Sequence, residues 1–151
     1  MINIVLFQPE IPQNTGNIIR LCANTKSKLH LIKPLGFELN DKKMRRSGLD
    51  YHEFADIKCY ESWQDFLKMK KNINIYAFTT KTQKSYCDIN FVDGVFLLFG
   101  PETRGLPETI RSNGNITAVT IPMAAQSRSI NLANAVAIAM YEVLRQQKFV
   151  F

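Results

Sequence analysis

Cysteine is scarce in this 151-residue chain: Cys22, Cys59 and Cys87 are odd in number and far apart. They form no disulfide framework and no C-x-x-C pair. Only His30 and His52 stand by to help, so no metal-site spacing exists. A reducing setting with idle thiols is expected. The same two histidines lie far in sequence from the 100–105 and 121–131 loops, which leaves a serine or cysteine hydrolase triad there without its base. Glycine is equally sparing. No G-x-G-x-x-G, G-x-x-x-x-G-K-[ST] or G-x-S-x-G occurs, and this excludes a standard dinucleotide site, a P-loop and a nucleophile elbow. No apolar run approaches the ~18 residues of a membrane helix. The stretch Met1–Phe7 has no basic leader and meets Gln8-Pro9 too early for a signal peptide. It reads as a first strand, and the expected location is cytoplasmic.

What is present is a chain of globular composition, 46% hydrophobic, expected to form a single domain over 1–151. Net charge is +6, and all of that excess falls between Arg20 and Arg46, where eight basic residues face Glu38 and Asp41. Such clustering suits a phosphate-backbone partner or a solvated lysine-rich face. The adjacent Arg45 and Arg46, beside Lys42 and Lys43, favour phosphate.

Strand-like runs occupy 2–7, 28–33, 73–79, 94–99 and 116–121. Asn14 is a candidate N-cap for a helix over 15–25, on which Ile18, Ile19, Cys22 and Ala23 fall at helical spacing. Ser62 is placed to cap a short helix with Trp63, Phe66 and Leu67 on one face, and 107–112 fits one or two helical turns. The last helix, 130–147, carries a broad apolar stripe that includes Val136, Met140, Tyr141 and Leu144. Its composition predicts burial on more than one side, in the core or in a dimer interface. Strands alternating with helices give an α/β fold with a mainly parallel sheet.

Two polar loops follow apolar runs. Phe96–Phe99 ends at Gly100-Pro101-Glu102-Thr103-Arg104-Gly105, and the 116–121 run ends at Ile121-Pro122-Met123, ahead of Ser127-Arg128-Ser129-Ile130-Asn131. Gly100 permits close backbone approach. Ile121, Met123 and Leu132 would line an apolar slot suited to a purine ring. Ser127, Ser129 and Asn131 also read as caps of the last helix.

These loops, with Pro9-Glu10-Ile11-Pro12, Asn14-Thr15-Gly16-Asn17 to Asn24 and Gly48-Leu49-Asp50-Tyr51-His52-Glu53, carry a resemblance over nearly the whole chain. The sequence resembles the SPOUT class of RNA methyltransferases, within it the tRNA (cytidine(34)-2′-O)-methyltransferase group. The resemblance implies an α/β-knot fold, a mainly parallel sheet flanked by helices with a C-terminal deep trefoil knot. It implies a homodimer with active sites at the subunit interface, and S-adenosylmethionine held by Phe78, Gly100, Ile121 and Ser129 with Met123 and Leu132 as walls. It implies 2′-O-methylation of the wobble nucleotide, cytidine or modified uridine, in the anticodon stem-loop of tRNA. Methylation of another tRNA or rRNA ribose, or a non-catalytic RNA-binding dimer, stand as alternatives.

By the same resemblance Arg20, Asn14, Glu102 and Ser129 are the catalytic set. A guanidinium keeps its proton, so Arg20 suits anchoring a phosphate and polarising the ribose oxygen better than acting as base. Glu102 would position Arg20 or touch substrate. Lys42, Lys43, Arg45, Arg46 and Tyr141 would meet RNA, although periodicity alone puts Tyr141 in the core. Ala133 replaces a frequent serine, Ile130 a frequent methionine or leucine, and Gln13 a common proline.

Overall fold

Strands that are apolar at nearly every position belong in a sheet covered on both faces. The computed structural model describes residues 1–39, 57–69 and 73–151 and shows such a sheet. Its elements are β1 (Asn3–Phe7), α1 (Pro12–Asn24), β2 (Lys28–Ile32), β3 (Ile57–Tyr60), α2 (Trp63–Met69), β4 (Ile75–Phe78), β5 (Phe96–Phe99), α3 (Glu108–Arg111), β6 (Ile116–Val119) and α4 (Leu132–Gln146). Six strands pair in the order β3-β2-β1-β5-β4-β6, all parallel. Asn3 lies between Lys28 and Phe96, and Ile75 between Phe96 and Ile116.

Alternation along the strands divides the core into two layers. Ile4, Leu6, Leu97 and Phe99 face α1 and α4, meeting Ile18, Ile19, Val136 and Met140. Val5, Phe7, Phe96 and Leu98 face α2 and α3, meeting Trp63, Phe66 and Ile110. His30 is fully buried in β2, but its ring is satisfied: Nδ1 is 2.9 Å from the Tyr60 hydroxyl and Nε2 3.2 Å from Asn3 Oδ1. Asn3 spends its amide protons on the Gly94 and Val95 carbonyls. Its oxygen must therefore accept, which puts the imidazole proton on Nε2 and leaves Nδ1 to accept from Tyr60.

Four expectations need correction. The strand β3 lay in no apolar run, because Lys58 and Cys59 point outward at the sheet edge. Helix α1 begins at Pro12, not after Asn14; proline at the first helical position needs no N–H partner. Asn14 is therefore inside the helix and caps nothing. Within the single chain helix α4 turns Leu132, Val136, Ala139, Met140, Val143 and Leu144 into the core, and its outer face, with Ile138 and Tyr141, is exposed. Tyr141 is thus not a core residue. By contrast Ser62 does cap α2, accepting from Asp65 N at 3.1 Å, and Asn131 caps α4, accepting from Ala133 N and Asn134 N at 3.0 and 3.3 Å.

Candidate active site

Strand order places β1 beside β5 although the chain runs from β1 to β2 on the other side. Loops leaving their C-terminal ends diverge, and a crevice opens where parallel sheets bind ligands. The cavity there measures about 660 Å³ and is bounded by the loops after β4, β5 and β6 and the start of α1. Phe78, Gly100, Ile121, Met123, Ser129 and Leu132 all line it, as do Asn14 and Glu102. Phe78 stacks on Phe99 with ring centroids 4.9 Å apart, fixing the floor at the ends of β4 and β5.

The three loops are tied by one hydrogen-bond network. The Glu102 carboxylate accepts from Glu10 N at 2.8 Å, Ile11 N at 3.1 Å and Asn14 Nδ2 at 3.1 Å. A side chain of the β5 loop thereby takes the place of a local cap on α1. Asn14 Oδ1 accepts from Asn131 Nδ2 at 3.0 Å, and Asn131 caps α4. The two ends of the Asn14 amide are thus assigned. A second carboxylate runs the opposite way. Glu10 accepts from Thr103 N at 3.1 Å, from Thr103 Oγ1 at 2.8 Å and from Arg104 Nη1 at 3.1 Å, while Arg104 Nη2 donates to Gln8 Oε1 at 2.7 Å. The Thr103 bonds, and secondarily the Arg104 charge, hold the Glu10 carboxyl below its ordinary range.

Gly100 allows the close backbone approach expected of it, and it also lines the cavity. A Cβ there would lie 2.4 Å from Leu106 N and 2.5 Å from Gly105 C, so what crowds this glycine is its own loop returning. Gly105, at φ +67, supplies the left-handed turn, and its N–H closes on Pro101 O at 2.9 Å.

Arg20 does not join the cluster. It is exposed on α1, about 9 Å further along the helix axis than Asn14 at 1.5 Å per residue, and it does not line the cavity. Glu102 therefore holds Asn14 and the α1 entry, which is a different task from positioning Arg20. Tyr141 is 48% exposed on the outer face of α4, with its ring 6.5 Å from Phe149. Lys42, Lys43, Arg45 and Arg46, and the Gly48–Glu53 segment, lie outside the described residues. Sequence reasoning missed the Glu10–Thr103–Arg104 latch and the Asn14–Asn131 bond. Their partners are 93 to 117 residues apart, beyond any local pattern. Among the described residues no cluster of three metal-ligating side chains occurs, and no helix is long and apolar enough to cross a membrane.

Comparison with known proteins matches residues 1–141 to the SpoU rRNA Methylase family. The tRNA (cytidine(34)-2'-O)-methyltransferase of Aeromonas hydrophila is 55% identical over 147 residues, covering 97% of this chain and 94% of the relative. A solved structure concerned with the 2-OH methylation of C/U34 on tRNA superposes with a TM-score of 0.92 at 43% identity, over 98% of this chain and 97% of the other. The SpoU methyltransferase AviRb from Streptomyces viridochromogenes, in complex with the cofactor AdoMet, gives 0.82 at 25% identity, over 97% of this chain and 57% of that one.

Proposed function

The chain belongs to the SpoU rRNA Methylase family, and from that membership we propose that it is a tRNA 2′-O-methyltransferase. It moves a methyl group from S-adenosylmethionine to the ribose 2′-hydroxyl of the wobble nucleotide, cytidine or uridine at position 34. Within the molecule, the reading is carried by the Glu102–Asn14–Asn131 chain, which draws all three loop motifs onto one cavity.

That cavity fits the cofactor. Its volume lies in the range of ligand sites, and Ile121, Met123 and Leu132 offer an apolar wall for a purine beside polar loop residues. S-adenosylmethionine, when bound, supplies a methyl group on a positively charged sulfur. The protein's share is orientation, exclusion of water and handling of the hydroxyl proton. Ser129 offers a hydroxyl at the cavity wall, where it can hydrogen-bond the ribose or the cofactor. Asn14, fixed by Glu102 and Asn131, keeps one amide proton and one lone pair for the nucleotide. Transfer would exchange the sulfur–methyl bond for an oxygen–methyl bond, leaving a neutral thioether and passing the hydroxyl proton to water. Arg20 anchors a phosphate, and it reaches the target ribose when presented by a partner subunit.

The dimer this requires uses the outer face of α4. Ile138 is exposed there, and Phe149, Val150 and Phe151 extend the apolar surface. The trefoil knot belongs to the same proposal. After β6, at the sheet edge, the chain must return to α4 beside α1, and Thr120 is strapped to the 84–86 segment by bonds of 2.8 and 3.0 Å on the way. A single cytoplasmic domain, grasping the anticodon stem-loop with Lys42, Lys43, Arg45, Arg46 and Tyr141, completes the reading.

Incubating the protein with labelled S-adenosylmethionine and bulk tRNA, then digesting to nucleosides, tests it. Label in a 2′-O-methylated nucleoside from position 34, lost in Asn14→Ala and Arg20→Ala, is the expected result. Cofactor binding without transfer to tRNA would redirect the assignment to another RNA.

A further inference from the structure

The cavity carries more positive charge than its cofactor can use. Four cations line it, Lys81, Arg104, Arg111 and Arg128, against the single carboxylate of Glu102. That carboxylate is already engaged by three donors. Arg104 is held by Glu10 at 3.1 Å, and Arg111 has Glu108 at 3.8 Å. Lys81 and Arg128 differ from these two. Both are exposed, and among the described residues neither side chain makes a hydrogen bond or an ion pair. They come from separate loops, one following β4 and one preceding α4, that border the same opening. S-adenosylmethionine itself has two positive groups and one negative, so two free cations beside it repel rather than complement it.

We propose that Lys81 and Arg128 form a phosphate-binding rim of the cavity, receiving the RNA backbone that flanks the nucleotide being methylated. The inference rests on the tRNA reading above and adds two contact residues to those assigned there to RNA. Two cations on separate loops of one opening would hold the strand there and set the depth to which the target ribose enters. They would read no base. Their effect should be the same whether the wobble nucleotide is cytidine or uridine.

The test is a salt series of tRNA binding by the full-length chain, followed by fluorescence anisotropy with a labelled transcript. Each lost phosphate contact should lower the slope of log K against log salt by about 0.7–1. Lys81→Ala and Arg128→Ala should each do so, with affinity falling about 3–10-fold near physiological salt. The double variant should lose about twice the slope, and Lys81→Arg with Arg128→Lys should retain it. S-adenosylmethionine binding, followed by thermal shift, should stay within twofold of wild type in all variants. An unchanged slope in the double alanine variant overturns the proposal. So does loss of cofactor binding in Arg128→Ala, which would give that guanidinium to the cofactor's carboxylate instead. Methyl transfer by the wild type, measured on the same preparation, tests the tRNA reading separately: if it fails while the slopes change as stated, the rim stands and the assigned reaction falls.

Discussion

Replacing Glu102 with alanine removes the acceptor for three donors at once: the backbone N–H groups of Glu10 and Ile11 and the Asn14 amide. The site is partly open to water, so each bond is set at about 1 kcal/mol net, not at the larger figure for a dry charged bond. The sum is about 3 kcal/mol. For a chain of this length that corresponds to a fall in Tm of about 6–12 °C. Glutamine separates shape from charge. It keeps the side-chain outline but gives up one acceptor oxygen, and an NH₂ in that place faces the N–H of Glu10 or of Ile11 and Asn14. Glu102→Gln should therefore lose about half as much as alanine or less, because its oxygen can still accept from Ile11 and Asn14, and Glu102→Ala should lose methyl transfer because Asn14 is released. Urea unfolding with a constant slope gives the stabilities directly. If Glu102→Gln matches wild type and Glu102→Ala costs less than about 0.5 kcal/mol, the carboxylate does not hold the α1 entry and the network argument is wrong.

The Glu10 latch should respond to acid. Its carboxyl titrates below the ordinary 4.5 because Thr103 bonds, then Arg104, favour the ionised form. The stabilisation is thus complete above pH 4.5 and disappears as pH falls through the lowered value. The Tm difference between wild type and Glu10→Gln should accordingly close in acid; a gap that stays constant with pH would remove the latch from the account. Thiol labelling should find Cys59 and Cys87 reactive in the native protein and Cys22 only after unfolding, since burial pushes the Cys22 thiol up to about 12. A fast third equivalent under native conditions would contradict the packing of α1. Phe66 is fully buried against Tyr60, Trp63 and Phe96, so Phe66→Ala should cost about 3–5 kcal/mol in chemical unfolding while leaving cofactor affinity unchanged.

Much of this molecule could be read from local pattern. The alternation of Lys28–Lys33, the apolar run Phe96–Phe99 and the stripe of the last helix each have a period matching the element that formed. Failures arose where a distant residue supplied what a local one was expected to give. Asn14 looked like a cap, but the α1 entry is satisfied by Glu102, 88 residues away from it. The strand Ile57–Tyr60 showed no apolar run because an edge position buries little of it. For the site, the motifs indicated which loops mattered, and all six residues named for the cofactor line one cavity. How those loops are fastened together, by two carboxylates exchanged between segments near residues 10 and 102, required the fold.

The central claim concerns one oxygen atom. Two otherwise identical tRNAs, one with cytidine and one with 2′-deoxycytidine at position 34, would be offered to the protein with labelled S-adenosylmethionine. Label should enter the first and be absent from the second, because only the first has the acceptor hydroxyl. Equal labelling of both would place the methyl group on a base or on another ribose and contradict the account.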